Sequence, residues 1–437
     1  MNKNFFPLIL ILSSIGILLY LVYRSEIIWA GNNRDYYYSY FCISLLLIIL
    51  SFSSLYINKI LKTYLFISIL SILFSLYAFE SYLFLFKNVN NNFIRSIKYK
   101  IDTGKKYDLR NKYEIYLDLK KLNSNISIAA SPSNDLNLIN TGLFRLSGKS
   151  KSKTIYCNEN GYYSMYESDR FGFNNPDNVW DNSEIEYLLI GDSFVHGACV
   201  NAPFDIASKL RLISKKPVIN LGYGGNGPLI QHASLREYYP KKVKKIIWFY
   251  YEGNDNLDFI KELKNEVLIN YFKNFNFSQN LKNKQVSIDK IIDGILSNVS
   301  YEKNKDNKQK LNTIIKYIKL YHLRAIFLKK KDTSLSNYTE FKKIFKMTKK
   351  LASINDSRLY FVYLPSIDRY NSENFSNENF YKIKNIIDDL KINFIDIDKK
   401  VFKKEKEPID LFADKLFIHY NAEGYKKITS AIYQSTK

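Results

Sequence analysis

Histidine and cysteine are scarce, four and three in 437 residues. The three cysteines, Cys42, Cys157 and Cys199, and the four histidines, His196, His232, His322 and His419, make no C-x-x-C or H-E-x-x-H spacing. Zinc motifs are therefore unsupported. The glycine-rich loop at 222–227 lacks the Lys-Ser/Thr of a phosphate-cradling loop and the spacing of a dinucleotide fingerprint. No metal or cofactor is expected. Acidic residues are also short, 42 against 64 Lys and Arg, for a formal charge of +22 and a pI near 9.4. The excess is spread along a chain rich in Lys, Asn, Ile and Tyr, and pairs such as Lys241-Lys242 read as solvated surface, so a nucleic-acid partner is not expected. A basic outer surface would favour anionic lipid headgroups or an acidic polysaccharide.

Long apolar runs, by contrast, are present. Phe5–Tyr23, Tyr38–Ile57 and Tyr64–Phe86 are each about twenty residues and free of Lys and Arg, enough to cross a hydrocarbon core of roughly 30 Å. Glu80 is an acidic exception in the third run and is expected to face neighbouring helices or lie near an interface. No A-x-A-like cleavage site follows the first run, so three membrane helices are expected rather than a signal peptide. Two orientations compete. With the N-terminus inside, Lys3, Lys59 and Lys62 are cytoplasmic; the reverse gathers Arg24, Arg34, Lys87, Arg95, Lys98 and Lys100 inside and wins by count. The later charges belong to a long domain, which the positive-inside rule weights weakly.

The chemistry-bearing segments come later. Ile185–Ile190 reads as a buried strand that runs into Gly191-Asp192-Ser193-Phe194-Val195-His196-Gly197. A serine just after such a strand sits at the carboxyl edge of a sheet, where open α/β folds place their sites. Pro217–Gly222 reads as a second strand, followed by Gly222-Tyr223-Gly224-Gly225-Asn226-Gly227-Pro228. Lys245–Tyr251 reads as a third, ending in Glu252-Gly253-Asn254-Asp255. His419-Tyr420-Asn421-Ala422-Glu423-Gly424 opens a last helix.

In this order, the four segments resemble the sequence blocks of the SGNH (GDSL-type) hydrolase superfamily, from about Asp169 to the C-terminus. The resemblance implies Ser193 as nucleophile and His419 as base. It also implies an oxyanion hole of the Ser193 and Gly225 amides and the Asn254 side chain. The family places an Asp three residues before the histidine, where this chain has Leu416. Asp414 is the first candidate for the acid, with Asp410 or no acid as alternatives. His196, His232 and His322 read as structural or surface residues. Cys157 and Cys199 are either a disulfide, which would require an oxidising compartment, or two buried thiols.

Around these blocks, 89–168 reads as a linker and small accessory segment. It holds a helix at Tyr113–Leu122 and a hairpin at Thr154–Tyr166 that turns at Asn158–Gly161. Strands at Leu359–Leu364 and Phe394–Ile397 complete a parallel five-stranded, flavodoxin-like α/β domain over 169–437. A helical insertion at about 256–332 is expected over the site edge. The resemblance implies a membrane-anchored serine esterase or acyltransferase acting on an ester-bearing envelope glycan or lipid, in a cytoplasmic membrane with its domain on the outer side. A transferase would call for a membrane-protein partner to supply the acyl donor. The competing expectation is a catalytically silent glycan-binding or assembly subunit with the same fold.

Overall fold

The computed structural model describes residues 5–29, 31, 34–87, 92–136, 142–297, 311–327, 337–372 and 375–437. They fall into two compact units, residues 1–89 with 311–329, and residues 90–310 with 330–437.

The first unit is built on helices α1 (Phe5–Val22), α2 (Arg34–Ser53) and α3 (Lys59–Lys87). All three are long and apolar enough to cross a membrane. The Ser51 hydroxyl near the end of α2 donates to the Leu10 carbonyl near the start of α1 (3.3 Å). Phe6 and Phe66, early in α1 and α3, meet edge to face at 5.3 Å. The first and third helices thus run the same way and the second runs back. Two helical stretches from the insertion, over residues 311–318 and Tyr321–Phe327, belong to this unit as well. The expected insertion is therefore divided, its first half staying with the α/β unit.

The second unit begins before the four blocks. Helix α4 (Lys112–Lys120) starts at Asn111, whose side chain accepts the Glu114 N–H while Glu114 reaches back to the Asn111 N–H. A three-stranded sheet follows, β1 (Ile126–Ile128), β2 (Lys153–Ile155) and β3 (Met165–Glu167), in that order. β2 and β3 form the expected antiparallel hairpin. The fully buried Arg145 fastens 130–135 by donating to the Ala130 and Ser131 carbonyls and to Asp135.

The main sheet holds β4 (Ile185–Ile190), β5 (Val218–Asn220), β6 (Val243–Tyr251), β7 (Arg358–Leu364) and β8 (Asn393–Asp396). All pairs are parallel, in the order β5-β4-β6-β7-β8. A parallel sheet is covered on both faces, which is why its strands read as near-continuous apolar runs. The residues alternate between two cores. Leu188, Ile190, Trp248 and Phe361 pack with the helices after β5 and before β7. Leu189, Ile247, Phe249 and Val362 pack on the opposite face. The connecting helices are α5 (Ser193–His196), α6 (Ile206–Ser214), α7 (Pro228–Tyr238), α8 (Asp255–Glu262), α9 (Glu266–Lys273), α10 (Gln285–Ser297), α11 (Tyr338–Ile354), α12 (Glu378–Asp389) and α13 (Ala422–Thr436). The chain leaves β4 toward β5 on one side and returns to β6 on the other. The crevice outside the carboxyl end of β4 is therefore a topological switch point, where such sheets bind their ligands.

Candidate active site

β4 delivers Gly191, Asp192 and Ser193 to that crevice. A Cβ on Gly191 would lie 2.4 Å from Val195 Cγ2 and 3.1 Å from Phe249 Cβ, so only glycine fits under the turn. Asp192 caps α5, accepting the Phe194 N–H at 3.0 Å. Burial pushes its carboxyl up to about 6. Gly197 closes the helix at φ +88°, a left-handed conformation that glycine adopts freely. The result is a four-residue helix that holds the Ser193 hydroxyl at the strand end.

His419 reaches the same point from the C-terminal segment. Tyr420 bridges Phe412, the Ala413 N–H donates to the His419 carbonyl (2.9 Å), and the Asn421 side chain caps α13 through the Gly424 N–H (2.9 Å). These contacts fix the imidazole between two partners. Its Nε2 lies 2.8 Å from Ser193 Oγ, and its Nδ1 lies 2.8 Å from Glu159 Oε1. The Glu159 carboxylate also accepts the His419 backbone N–H at 3.4 Å. A serine hydroxyl, an imidazole and a carboxylate are thus joined in one hydrogen-bonded row.

The carboxylate is the correction. Asp414, expected on His419, sits instead in a short 3-10 turn with left-handed backbone (φ 48°). Asp410 pairs with Lys415 at 2.7 Å. The group on Nδ1 is Glu159, from the β2–β3 hairpin turn, 260 residues upstream of the histidine. A disulfide joins Cys157, two residues before it, to Cys199, six after Ser193. The Asn160 side chain adds a hydrogen bond to the Cys199 carbonyl (2.9 Å), and Asn158 donates to the Asp108 carbonyl (2.8 Å). The sequence signal for Glu159 was that bridge, because pairing Cys157 with Cys199 brings the Asn158–Gly161 turn to the nucleophile block. Glu159, His419 and Cys199 present donor atoms within 4.8 Å of one another. The Cys199 sulfur is in the disulfide and offers no thiolate, so the trio does not suit a metal ion.

The other expected groups lie on the loops that flank Ser193. Gly225 (φ +79°) is five residues past the end of β5, and Asn254 is three past the end of β6. The Asn254 amide donates one N–H to Asp258 (2.9 Å), which leaves its second hydrogen for another acceptor. Asp258 belongs to α8, and so does Glu262, whose buried carboxylate accepts the N–H groups of Gly227, Leu229 and Ile230. Burial pushes Glu262 up to about 8. One helix thus holds both flanking loops.

His196 is structural, as expected. Its Nδ1 accepts the Gly224 N–H (3.1 Å) and its Nε2 meets the Tyr166 hydroxyl (2.8 Å), with Tyr156 and Tyr223 rings 4.1 and 4.3 Å away. Burial pushes it down to about 3, so it is neutral and anchors the glycine loop. His232 is buried beside the Thr348 hydroxyl (2.9 Å). The accessory segment also borders the glycine loop: a Cβ on Gly225 would lie 2.6 Å from Ser133 Oγ and 3.3 Å from Ser131 Oγ. Sequence reasoning gave this segment no part in the site.

No family model and no curated protein matches the chain. Among solved structures, a lipolytic protein of the G-D-S-L family from Desulfitobacterium hafniense DCB-2 is similar at 14% identity. That match covers 58% of this chain and 99% of that one, at a TM-score of 0.32. The acetyl xylan esterase AlAXEase is similar at 12% identity, over 57% of this chain and 98% of that one, at a TM-score of 0.33.

Proposed function

We propose that the chain is a membrane-anchored serine esterase or acyltransferase of the SGNH type, acting on ester-linked acyl groups of an envelope glycan or lipid. The observation that carries this reading is the row Glu159–His419–Ser193, with both imidazole nitrogens engaged at 2.8 Å. Glu159 holds the Nδ1 proton, which leaves the Nε2 lone pair for the Ser193 hydroxyl.

In the first step Ser193 Oγ attacks the ester carbonyl and its proton passes to His419 Nε2. The carbonyl oxygen takes the negative charge, and the Ser193 and Gly225 amides and the Asn254 side chain are the donors for it; each such donor contributes about 3–4 kcal/mol. Collapse breaks the ester bond, and His419 returns the proton to the departing alkoxide. Water, or a sugar hydroxyl in a transferase, then gives its proton to His419 and attacks the acyl-serine; collapse breaks the acyl–Oγ bond as His419 returns that proton to Ser193 Oγ. In a transferase a membrane-protein partner supplies the acyl donor. Glu159 also supports catalysis over a silent binding role, which the Leu416 departure had motivated. The Cys157–Cys199 bridge supports an oxidising compartment, hence a domain outside the cytoplasm.

Fluorophosphonate labelling of the full chain, with the adduct located by mass spectrometry, tests this. Rapid modification of Ser193 that disappears in His419→Ala is the expected result. A folded protein that stays unlabelled would refute it. Release of acetate from an aryl acetate, with and without added glycan, separates hydrolysis from transfer.

A further inference from the structure

Residues 311–327 hold two helical stretches with no place in the chemistry. Residues 311–318 and Tyr321–Phe327 are helical, and Leu320 reverses the chain between them in a left-handed conformation (φ 48°). The hairpin packs on the second half of α3. The Tyr77 hydroxyl donates to the Ile318 carbonyl (2.9 Å), and the Ser81 and Tyr317 hydroxyls lie 2.6 Å apart. Glu80, fully buried, accepts the N–H groups of His322 (3.0 Å) and Leu323 (2.8 Å), and its carboxylate meets His322 Nδ1 at 2.9 Å. Lys319 reaches the Tyr20 hydroxyl near the end of α1 at 3.0 Å. The acidic residue of the third apolar helix thus has its partners in the hairpin.

The depth follows from helix geometry. With 29 residues, α3 is about 43 Å long, against a hydrocarbon core of roughly 30 Å. Glu80 lies seven residues before its last residue, about 10 Å from that end, so the hairpin meets α3 near a membrane boundary. The helix Tyr321–Phe327, seven residues, is only about 10 Å long and cannot span.

The surface of the first helix is divided. Leu311, Ile314, Ile315 and Ile318 recur at i, i+3, i+4 and i+7, and Leu311, Ile314 and Ile318 are each more than half exposed. Tyr317 faces α3. Lys316 lies roughly 150° around the helix from the centre of the apolar stripe, at about 100° per residue. Lys319 and Arg324 are exposed, and Lys316 lies 5.3 Å from the centre of the Tyr321 ring. An apolar stripe, exposed cations and a boundary position match one occupant, the lipid interface.

We propose that residues 311–327 are an interfacial membrane anchor, lying in the plane of the bilayer with the stripe toward acyl chains and the cations toward anionic headgroups. The membrane unit then has a second entry point, far along the chain from its three long helices.

The test uses the full chain in vesicles of phosphatidylethanolamine and phosphatidylglycerol, with Cys42→Ser to leave no free thiol. Nitroxide labels are placed singly at Ile314→Cys, Ile318→Cys, Ile326→Cys and Lys316→Cys, all exposed positions. Collisions with oxygen, which concentrates in lipid, are compared with those of a water-soluble nickel chelate. The oxygen-to-nickel ratio is expected to be severalfold higher at 314 and 318 than at 316. Ready collision with the nickel chelate at every position would place the hairpin in water and overturn the proposal. Shielding from both reagents at 314 and 318 would put a protein surface on the stripe and overturn it equally. Ile326→Cys provides a second reading from the other helix if a label at 314 or 318 disturbs the first.

Discussion

Reducing the Cys157–Cys199 bridge should slow the reaction, and should do so through Glu159. The bridge, the Asn160 bond to the Cys199 carbonyl and the Asn158 bond to Asp108 are what hold the turn that carries this carboxylate. Misplacing a catalytic contact by 1 Å costs on the order of 10²-fold, and removing a triad acid on the order of 10⁴-fold. Reduction of the wild type should therefore lower kcat by roughly 10–10²-fold, with Glu159→Gln setting the floor near 10⁴. In a Glu159→Gln background reduction should change kcat less than about twofold, because nothing remains to misplace. The assay is acetate release from an aryl acetate by oxidised and dithiothreitol-treated protein, with thiols counted by mass spectrometry. Cys157→Ser/Cys199→Ser gives the same comparison without reductant. The bridge closes a 42-residue separation, for which chain entropy gives about 4 kcal/mol of stability. Rates are thus taken at a temperature where circular dichroism shows the reduced fold intact. Equal losses in both backgrounds would refute the reasoning and make the bridge a general support of the fold.

Three further outcomes are expected. Asn254→Ala should lower kcat by about 10²–10³-fold with little change in KM, since an oxyanion donor acts mainly in the transition state; a change confined to KM would contradict that role. Gly191→Ala places a methyl 2.4 Å from Val195 Cγ2 and should cost about 1–3 kcal/mol. Adding Val195→Ala should recover part of the lost melting temperature. His232, pushed down to about 3 by burial, contributes stability that is intact above pH 6.5 and is lost as pH falls from there toward 3. Relative to His232→Gln, the wild type should lose roughly 2 kcal/mol between pH 6.5 and pH 5, at about 1.4 kcal/mol per unit. Thermal unfolding of both proteins at the two pH values measures it.

The parts of the fold that could be read from sequence are those whose signals are local. Ile185–Ile190 followed by Gly-Asp-Ser announces a buried strand and a tight turn within nine residues, and the hairpin between β2 and β3 is equally compact. His419 was legible through the resemblance of its block, His419 to Gly424 at a helix start, to the last block of the SGNH superfamily. Glu159 was not, because its relation to His419 spans 260 residues and is created by packing a three-stranded sheet against the site. Likewise, the spacing of Leu311, Ile314, Ile315 and Ile318 is that of any amphipathic helix. Periodicity gives the apolar face and says nothing of whether protein or lipid covers it.

The position of Glu159 also bears on where this protein can be cut. A boundary drawn at Asp169, where the four blocks begin, keeps the whole parallel sheet, the serine and the histidine, yet severs the carboxylate and one half of the disulfide. Such a fragment would lose Phe144, Leu146 and Ile155 from the core of the sheet and leave Cys199 as a free thiol. The unit that swapping or shuffling experiments must carry whole extends upstream to the hairpin turn.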